Sequence, residues 1–216
     1  MCIRDRHWNI GIGWDALKVN TVSFNTAIGY NAGIDITTGA ENVLIGKSAG
    51  GTMTTGESNI CIGKEAGDNI LTGSFNIVIG ENATASSTSV SNELTLGDTG
   101  ISSFRCNQQS ISSLSDGRDK TEVEDLPLGL DFIDTLRPVK FKWDTRDGNC
   151  KDGSFEAGFI AQDLQSAQST SNADYLKMVM DENPDRLEAA YGQLIPVLVQ
   201  AIKDLKSEIE TLKSNA

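Results

Sequence analysis

A repeat of 17 residues in the first half of the chain is the feature that most constrains the fold. Four asparagines mark it: Asn25, Asn42, Asn59 and Asn76. Each begins the pattern N-x-x-I-G-x-x-A-G, which reads NTAIGYNAG, NVLIGKSAG, NICIGKEAG and the fading NIVIGENAT. NIGIGWDAL, from Asn9, is a weaker copy sixteen residues before Asn25. Such self-similarity predicts a stack of identical small units.

The residue types within one unit predict a short β-strand followed by a sharp turn. Isoleucine recurs with β-type neighbours such as Val43-Leu44, which is typical of strands. The glycine directly after each isoleucine allows a positive φ. The recurring alanine is small enough to pack inside a narrow coil, and an asparagine at a fixed place could bond to backbone or to the asparagine of the next unit. Residues 7–100 are therefore predicted to form an all-β helix or roll of short strands.

A thin coil of this kind is expected to associate, because one unit cannot bury its apolar side chains alone. We expect three chains side by side, with a monomeric solenoid as the alternative. A disordered glycine-rich linker fits less well, because isoleucines in strict register are not typical of linkers. Residues 84–100 read as the end of the stack, with one more short strand in NELTLGD. Alternation in residues 101–114 predicts one or two connecting strands.

Composition excludes several classes of function. Lys plus Arg is 18 and Asp plus Glu is 30, for a net charge of −12. Nucleic acid is therefore not expected as a partner, because no basic stripe is available to neutralise phosphates. No apolar run is long enough to span a bilayer, so we expect no membrane insertion. Cys2, Cys61, Cys106 and Cys150 lie in separate segments and His7 is the single histidine, so neither a metal nor a cofactor is expected.

The opening hexapeptide MCIRDR fits nothing that follows it, and we interpret residues 1–6 as a non-native leader.

Beyond Lys120 the composition changes to that of a small α+β domain, so the chain is α+β overall. Gly129–Leu136 reads as a short helix. VKFKW places Val139, Phe141 and Trp143 on one face of a strand, which a second strand near Phe155–Ile160 could pair with as a hairpin. A helical turn follows that second strand. A long helix is expected from about residue 184 to 213, capped by Asn183 or Asp181 and with Pro184 in its first turn.

That long helix carries a seam with the spacing of a coiled coil. Its members alternate steps of three and four residues: Ile195, Leu198, Ile202, Leu205, Ile209 and Leu212. Glu208 could reach Lys213 of a neighbouring helix. An amphipathic helix packed on its own domain is the alternative, but it would have a wider apolar stripe. We favour oligomerisation, although isoleucine at a and leucine at d by themselves favour a two-stranded coiled coil.

Residues 110–213 resemble the C-terminal intramolecular chaperone domain of endosialidase-type phage tailspikes and tail fibres. Three motifs carry the resemblance, S-D-x-R-x-K, L-R-P-V-x-F-x-W and G-F-I-A-Q-D, here LSDGRDK, LRPVKFKW and GFIAQD. The resemblance implies a domain that helps three chains fold into a fibre and then releases itself as a serine peptidase. It implies Ser115 as nucleophile, Lys120 as base and Ser115–Asp116 as the bond that is cut. The upstream repeats resemble those of trimeric fibre and adhesin shafts.

The spacing of Ser115 and Lys120 can carry this chemistry only under one condition. A serine hydroxyl needs an adjacent base, and lysine amines titrate near ~10.4 in water. A lysine base must therefore be brought toward ~7–8 by burial or by a neighbouring cation. Arg118 could supply that cation, whereas Asp116 and Asp119 would oppose it. Burial upon assembly is thus expected to switch the pair on, and Gly117 is expected to let the backbone curl.

Two other functions remain open at this stage. One is a non-catalytic trimeric adhesin that keeps its C-terminal domain. The other is a self-cleaving cellular regulator, which the absence of a membrane span and of a basic DNA-reading segment disfavours. For the tail-fibre reading, the partners are the rest of the fibre and a host receptor. The shaft is then expected in the virion tail, and the released domain in the host cytoplasm.

Overall fold

The computed structural model describes residues 8–101, 103–105, 107, 113–144, 153 and 155–215. The chain divides into two compact units, and the boundary falls between Phe104 and Arg105. The expected leader, residues 1–6, lies outside the described residues, as do His7 and three of the four cysteines. No helix in the described part of the chain has the length and apolar character needed to cross a bilayer.

The first unit is a β-solenoid of about 5 turns, as the repeat predicted. Its strands form one parallel sheet in sequence order, with each strand paired to the next. The strands are β1 (Ile10–Ile12), β2 (Thr26–Ile28), β3 (Val43–Ile45), β4 (Ile60–Ile62), β5 (Ile77–Ile79) and β6 (Leu94–Leu96).

The core of the solenoid is narrow and is filled by the middle side chains of strands β2 to β5. Leu44, Cys61 and Val78 are such middle residues, and all three are fully buried. The recurring alanines also lie inside the coils with no exposed surface, as predicted: Ala32, Ala49, Ala66 and Ala83. Larger side chains, such as Ile36 and Met53, are buried in the same core. The isoleucines that flank each middle residue point outward instead.

Glycine is required after the strands because the coils stack there backbone on backbone. Gly29, Gly46, Gly63 and Gly80 all have φ between +133° and +142°. A Cβ placed on Gly46 would lie 2.2 Å from the carbonyl oxygen of Gly63. No side chain fits this stack, so the predicted sharp turn is confirmed together with its cause.

The asparagines form a continuous buried ladder. Oδ1 of Asn42 accepts hydrogen bonds from the backbone N–H of Asn59 (2.9 Å) and from its Nδ2 (3.2 Å). Nδ2 of Asn59 also donates to the carbonyl of Gly73 at 2.9 Å. The same three contacts join Asn25 to Asn42 and Asn59 to Asn76, the final partners there being Gly56 and Val90. Each asparagine thus satisfies backbone groups of two coils at once.

The first coil is one residue shorter, and the difference is confined to one corner. Thr21 N donates to the carbonyl of Thr37, sixteen residues on, whereas the next coil's Thr37 donates seventeen residues on, to Thr54. Nδ2 of Asn9 nevertheless donates to the carbonyl of Val22 at this corner. Asn25 and Asn42 donate in the same way to the carbonyls of Gly39 and Gly56. The corner before the asparagine therefore absorbs a change of length without breaking the ladder.

The second unit is a small α+β region that ends in a helix, which agrees with the predicted fold class. Its elements are α1 (Leu130–Thr135), β7 (Val139–Phe141), β8 (Glu156–Gly158), α2 (Ala161–Thr170), β9 (Val179–Met180), β10 (Glu188–Ala189) and α3 (Leu194–Ser214). β7 pairs antiparallel with β8, which is the predicted hairpin, and β9 pairs antiparallel with β10. The core gathers Phe132, Leu164, Met178, Leu194 and Val197.

Helix α3 uses two different faces. Leu194, Val197 and Ala201 are buried in the core of the unit. The predicted seam lies elsewhere and is exposed, with relative exposures from 42% at Leu205 to 68% at Leu212. The seam therefore does not pack on the core of its own unit, which was the alternative interpretation.

Three sequence predictions need correction. The long helix begins at Leu194 and not near residue 184, because residues 188–189 pair with β9 and Asn183 instead caps a turn through a bond to the backbone of Asp185. Trp143 does not share the inner face of β7; it lies beyond the strand, is 46% exposed and donates from Nε1 to Glu156. The described residues within 101–114 contain no strand, and the other positions there lie outside the described residues.

Candidate active site

The predicted site residues lie on one tight turn near the start of the second unit. Residues Gly117–Asp119 form a single 3₁₀ turn, and Asp116 precedes it in an extended conformation. Oδ1 of Asp116 accepts from the backbone N–H of Arg118 at 2.9 Å, which is the usual role of an aspartate at a helix N-cap. Backbone bonds from Asp119 to Asp116 and from Lys120 to Gly117 close the turn.

This turn brings the predicted nucleophile and the predicted base together. Nζ of Lys120 donates to Oγ of Ser115 at 2.6 Å. A base must lie within hydrogen-bond reach of the proton that it removes, and this pair meets that geometric condition. The contact joins residues five apart, so it depends on the turn between them.

Arg118 is bound to Asp116 and not aimed at the amine. Its Nη2 lies 2.5 Å from Oδ2 of Asp116, and its Nε lies 3.1 Å from both carboxylate oxygens. These side-chain bonds, followed by the backbone bond from Arg118, hold the pKa of the Asp116 carboxyl below its ordinary value, and the carboxylate in turn raises the pKa of Arg118. The sequence prediction assigned Arg118 a direct effect on Lys120. In the structure, it pairs with the carboxylate of Asp116.

Two further expectations about this turn can be compared with the structure. Every residue from Ser113 to Lys120 is exposed, so the described residues of a single chain do not supply the enclosure that the chemistry requires. Gly117 does not adopt a positive φ, and a Cβ placed there meets nothing within 4 Å. The turn therefore does not require a glycine at this position, and the cap by Asp116 accounts for its shape.

No group of three or more histidine, cysteine, aspartate or glutamate side chains is placed to hold a metal ion among the residues that the structure describes. Cys61, the free cysteine in the described solenoid, is buried, and burial raises the pKa of its thiol to about 12. A thiol with such a pKa is a poor nucleophile at neutral pH. The chemically active candidates are thus the serine and the lysine of the turn.

Fold and site together define a β-solenoid that is followed in the chain by a small α+β unit with a serine–lysine pair near its start. Residues 115–172 match the family described as chaperone of endosialidase, and the match begins at Ser115. The resemblance recognised from the sequence motifs is therefore confirmed for this segment. No curated protein and no solved structure matches the chain.

Proposed function

We propose that this chain is the distal part of a phage tail fibre whose second unit is a self-releasing assembly domain. The unit directs three chains to associate and is then cut off by Ser115 and Lys120. The observation that carries the proposal is the 2.6 Å bond between Lys120 Nζ and Ser115 Oγ, at the first residue of a chaperone-of-endosialidase segment. The β-solenoid upstream supplies the fibre shaft that such a domain would serve.

The reaction is a hydrolysis that consumes one water molecule. The unprotonated amine of Lys120 accepts the hydroxyl proton of Ser115, and the oxygen attacks a main-chain carbonyl carbon. The peptide C–N bond breaks, and the proton passes from the amine to the leaving nitrogen. Water then hydrolyses the ester, so that one fragment ends in a carboxylate and the other begins with a new amino group.

Covalent geometry limits how the Ser115–Asp116 bond can be cut. Within one chain, attack by Oγ of Ser115 on its own carbonyl carbon would close a four-membered ring. Cleavage at this bond therefore requires the Ser115 hydroxyl of a neighbouring copy, or a water activated by the pair. Attack on the carbonyl of Leu114 closes a five-membered ring and would instead leave Ser115 at the new amino terminus. We propose cleavage at Ser115–Asp116 with the hydroxyl of a neighbouring copy.

Assembly would also control when the cut occurs. The pair is exposed in the single chain, and an ammonium group in water remains protonated at neutral pH. Enclosure by neighbouring copies would remove water from the amine and favour its neutral form. A chain that has not assembled would therefore stay intact.

Three parallel copies of α3 would pack through the exposed seam described above. Isoleucine and leucine alternate along it with coiled-coil spacing, and the face that α3 buries in its own unit is a different one. Association through this seam would bring three second units together before release. We propose the shaft as a component of the virion tail and the released unit as a product left in the host cytoplasm.

A denaturing gel of the purified full chain tests the enzymatic part. We expect two fragments of similar mass from the unaltered chain and one intact band from Ser115→Ala and from Lys120→Ala. Ser113→Ala is the matched control, because it removes an exposed hydroxyl two residues away and should leave cleavage unchanged. Amino-terminal sequencing of the smaller fragment distinguishes Asp116 from Ser115 as its first residue. An assembled chain that stays intact for days would instead favour a structural adhesin that keeps its C-terminal domain.

A further inference from the structure

The outer face of the solenoid sheet is strongly apolar, and no described residue of its unit covers it. Each of the six strands points its first and third side chains outward. Among these twelve positions, Thr26 is the one polar residue. The apolar ones are Ile10, Ile12, Ile28, Val43, Ile45, Ile60, Ile62, Ile77, Ile79, Leu94 and Leu96. We call this surface the isoleucine face.

Two general observations make an uncovered isoleucine face unusual. Parallel sheets occur almost only where both faces are covered, and here the core covers only the inner one. The largest contiguous apolar patch on a protein surface, typically ~300–600 Å² in area, is often a functional one. The exposed members range from 36% exposure at Ile62 to 62% at Leu94, so these side chains are accessible in the single chain.

We infer that the isoleucine face is where copies of this chain pack against one another, with their solenoid axes parallel. The inference concerns the solenoid. It depends on the proposed function in one respect, that the number of copies is three. The occupant is a second copy because the face repeats with the period of the coils, so a parallel neighbour meets the same rows at every level. The uncovered seam on α3 points to the same partner, since a coiled-coil seam of this type fits another copy of itself.

The distribution of charge around the face supports this use. No charged residue lies in the two apolar rows. Charges stand instead in the flanking column, where Lys64 pairs with Glu81 at 2.9 Å and Lys47 lies 3.7 Å from Glu65. Charged residues thus border the apolar rows from Lys47 to Glu81, as they do at the rim of many interfaces, whereas the exposed aromatic rings of Trp14 and Tyr30 occupy the same column in the first two coils.

The size of the face indicates that it acts together with the helix seam. Six strands at a spacing of ~4.8 Å and three residues of ~3.4 Å give a projected area of about 300 Å². The seam on α3, with a rise of ~1.5 Å per residue over a width of ~10 Å, adds about 270 Å². Each surface alone is small beside the ~800 Å² that one partner contributes to a standard interface, and their sum of about 570 Å² comes closer to it. We therefore expect the two surfaces to cooperate in assembly.

Charge substitution on the face, with subunit number as the readout, tests the inference. In a Ser115→Ala background, which keeps the chain whole, Ile62→Lys with Ile79→Lys should weaken association on the order of tenfold or more, seen by native mass spectrometry across a dilution series. Leu71→Lys is the matched control, because Leu71 is an equally exposed apolar residue of the solenoid, 43% against 38% for Ile79, outside the face. Circular dichroism checks that each variant keeps its β-structure.

Cysteine cross-linking gives a second readout that does not depend on stability. In a background with Cys2, Cys106 and Cys150 changed to serine, Ile62→Cys should form a disulfide between copies, and Leu71→Cys should not. The inference would be overturned if the oligomer persists with both lysine substitutions and the Ile62→Cys variant forms no disulfide, while Ile202→Lys on α3 abolishes the oligomer. The chains would then associate through the helix and not through the isoleucine face. A chain that is single at every concentration would overturn both. The first result leaves cleavage by Ser115 untouched, whereas a chain that is single at every concentration would also exclude cleavage by a neighbouring copy; the denaturing gel of the unaltered chain tests cleavage separately.

Discussion

Removal of one rung of the asparagine ladder should destabilise the solenoid by an amount that the structure allows us to estimate. The side chain of Asn59 donates to the carbonyl of Gly73 and accepts from the backbone N–H of Asn76. Asn59→Ala leaves both of these buried groups without that partner. An unsatisfied buried group costs about 1–3 kcal/mol, so we expect a loss of about 2–6 kcal/mol in the free energy of unfolding. That is a large share of the stability of an ordinary domain.

Asn59→Asp tests the same contacts through pH. Aspartate keeps an acceptor for Asn76, but its second oxygen would face Oδ1 of Asn42 and the carbonyl of Gly73, both of which are acceptors. Burial beside acceptors would raise the pKa of this carboxyl above its unfolded value. The folded state then binds more protons than the unfolded state, so stability should fall as pH rises above about 4. The variant should therefore be closest to the unaltered chain at acidic pH.

Urea unfolding followed by circular dichroism measures both effects. The chains should carry Ser115→Ala and be compared at one protomer concentration, because association changes the apparent stability. Thr72→Ala is the control: Thr72 is exposed and its backbone bond to Thr88 remains, so it should change stability by less than ~0.5 kcal/mol. The reasoning is refuted if Asn59→Ala costs no more than this control, or if Asn59→Asp is most stable at alkaline pH.

Three further outcomes follow from the structure. Gly63→Ala should destabilise the solenoid by more than ~1 kcal/mol in the same urea assay, because its Cβ would lie 2.4 Å from a carbonyl oxygen; Gly117→Ala, whose Cβ meets nothing, should keep both stability and cleavage. Arg118→Leu leaves the Asp116 carboxylate without its guanidinium, so the midpoint of the pH–rate profile of cleavage should move to higher pH. Arg137→Leu, which removes another exposed arginine–aspartate pair, should not move this midpoint. If Arg118→Leu instead slows cleavage equally at every pH, the charge effect is contradicted. The pKa of Cys61, raised to about 12 by burial, should make stability decrease as pH rises from about 9, and iodoacetamide should label the thiol only after unfolding; labelling of folded protein would contradict this.

Sequence reasoning predicted the features that depend on the repeat itself. A strict period identifies positions that occupy the same place in every coil, so the inward alanines, the left-handed glycines and the asparagine ladder all followed from it. The direction of the strand side chains did not, because a strand of three residues is too short for alternation to reveal its inner face. Middle residues as different as Ala27 and Cys61 turn inward, whereas the more regular isoleucines turn outward.

In the second unit, the predictions failed where a distant partner decides the structure. Pro184 after Asn183 is a good start for a helix, but pairing of residues 188–189 with β9 delays the helix to Leu194. Near the site, spacing and resemblance placed Ser115 beside Lys120. Whether the Arg118 guanidinium lies against Asp116 or near the Lys120 amine depends on side-chain rotamers, which the sequence does not specify.

The shortened first coil shows that this corner of the solenoid accepts a change in chain length, which makes it the place to test for inserted peptides. A residue is lost at the corner between Thr21 and Val22, yet hydrogen bonds on both sides continue. Peptides grafted at the equivalent corners of successive coils would be carried as a row with a separation of ~4.8 Å, so that one chain would present several copies of an epitope at a fixed distance.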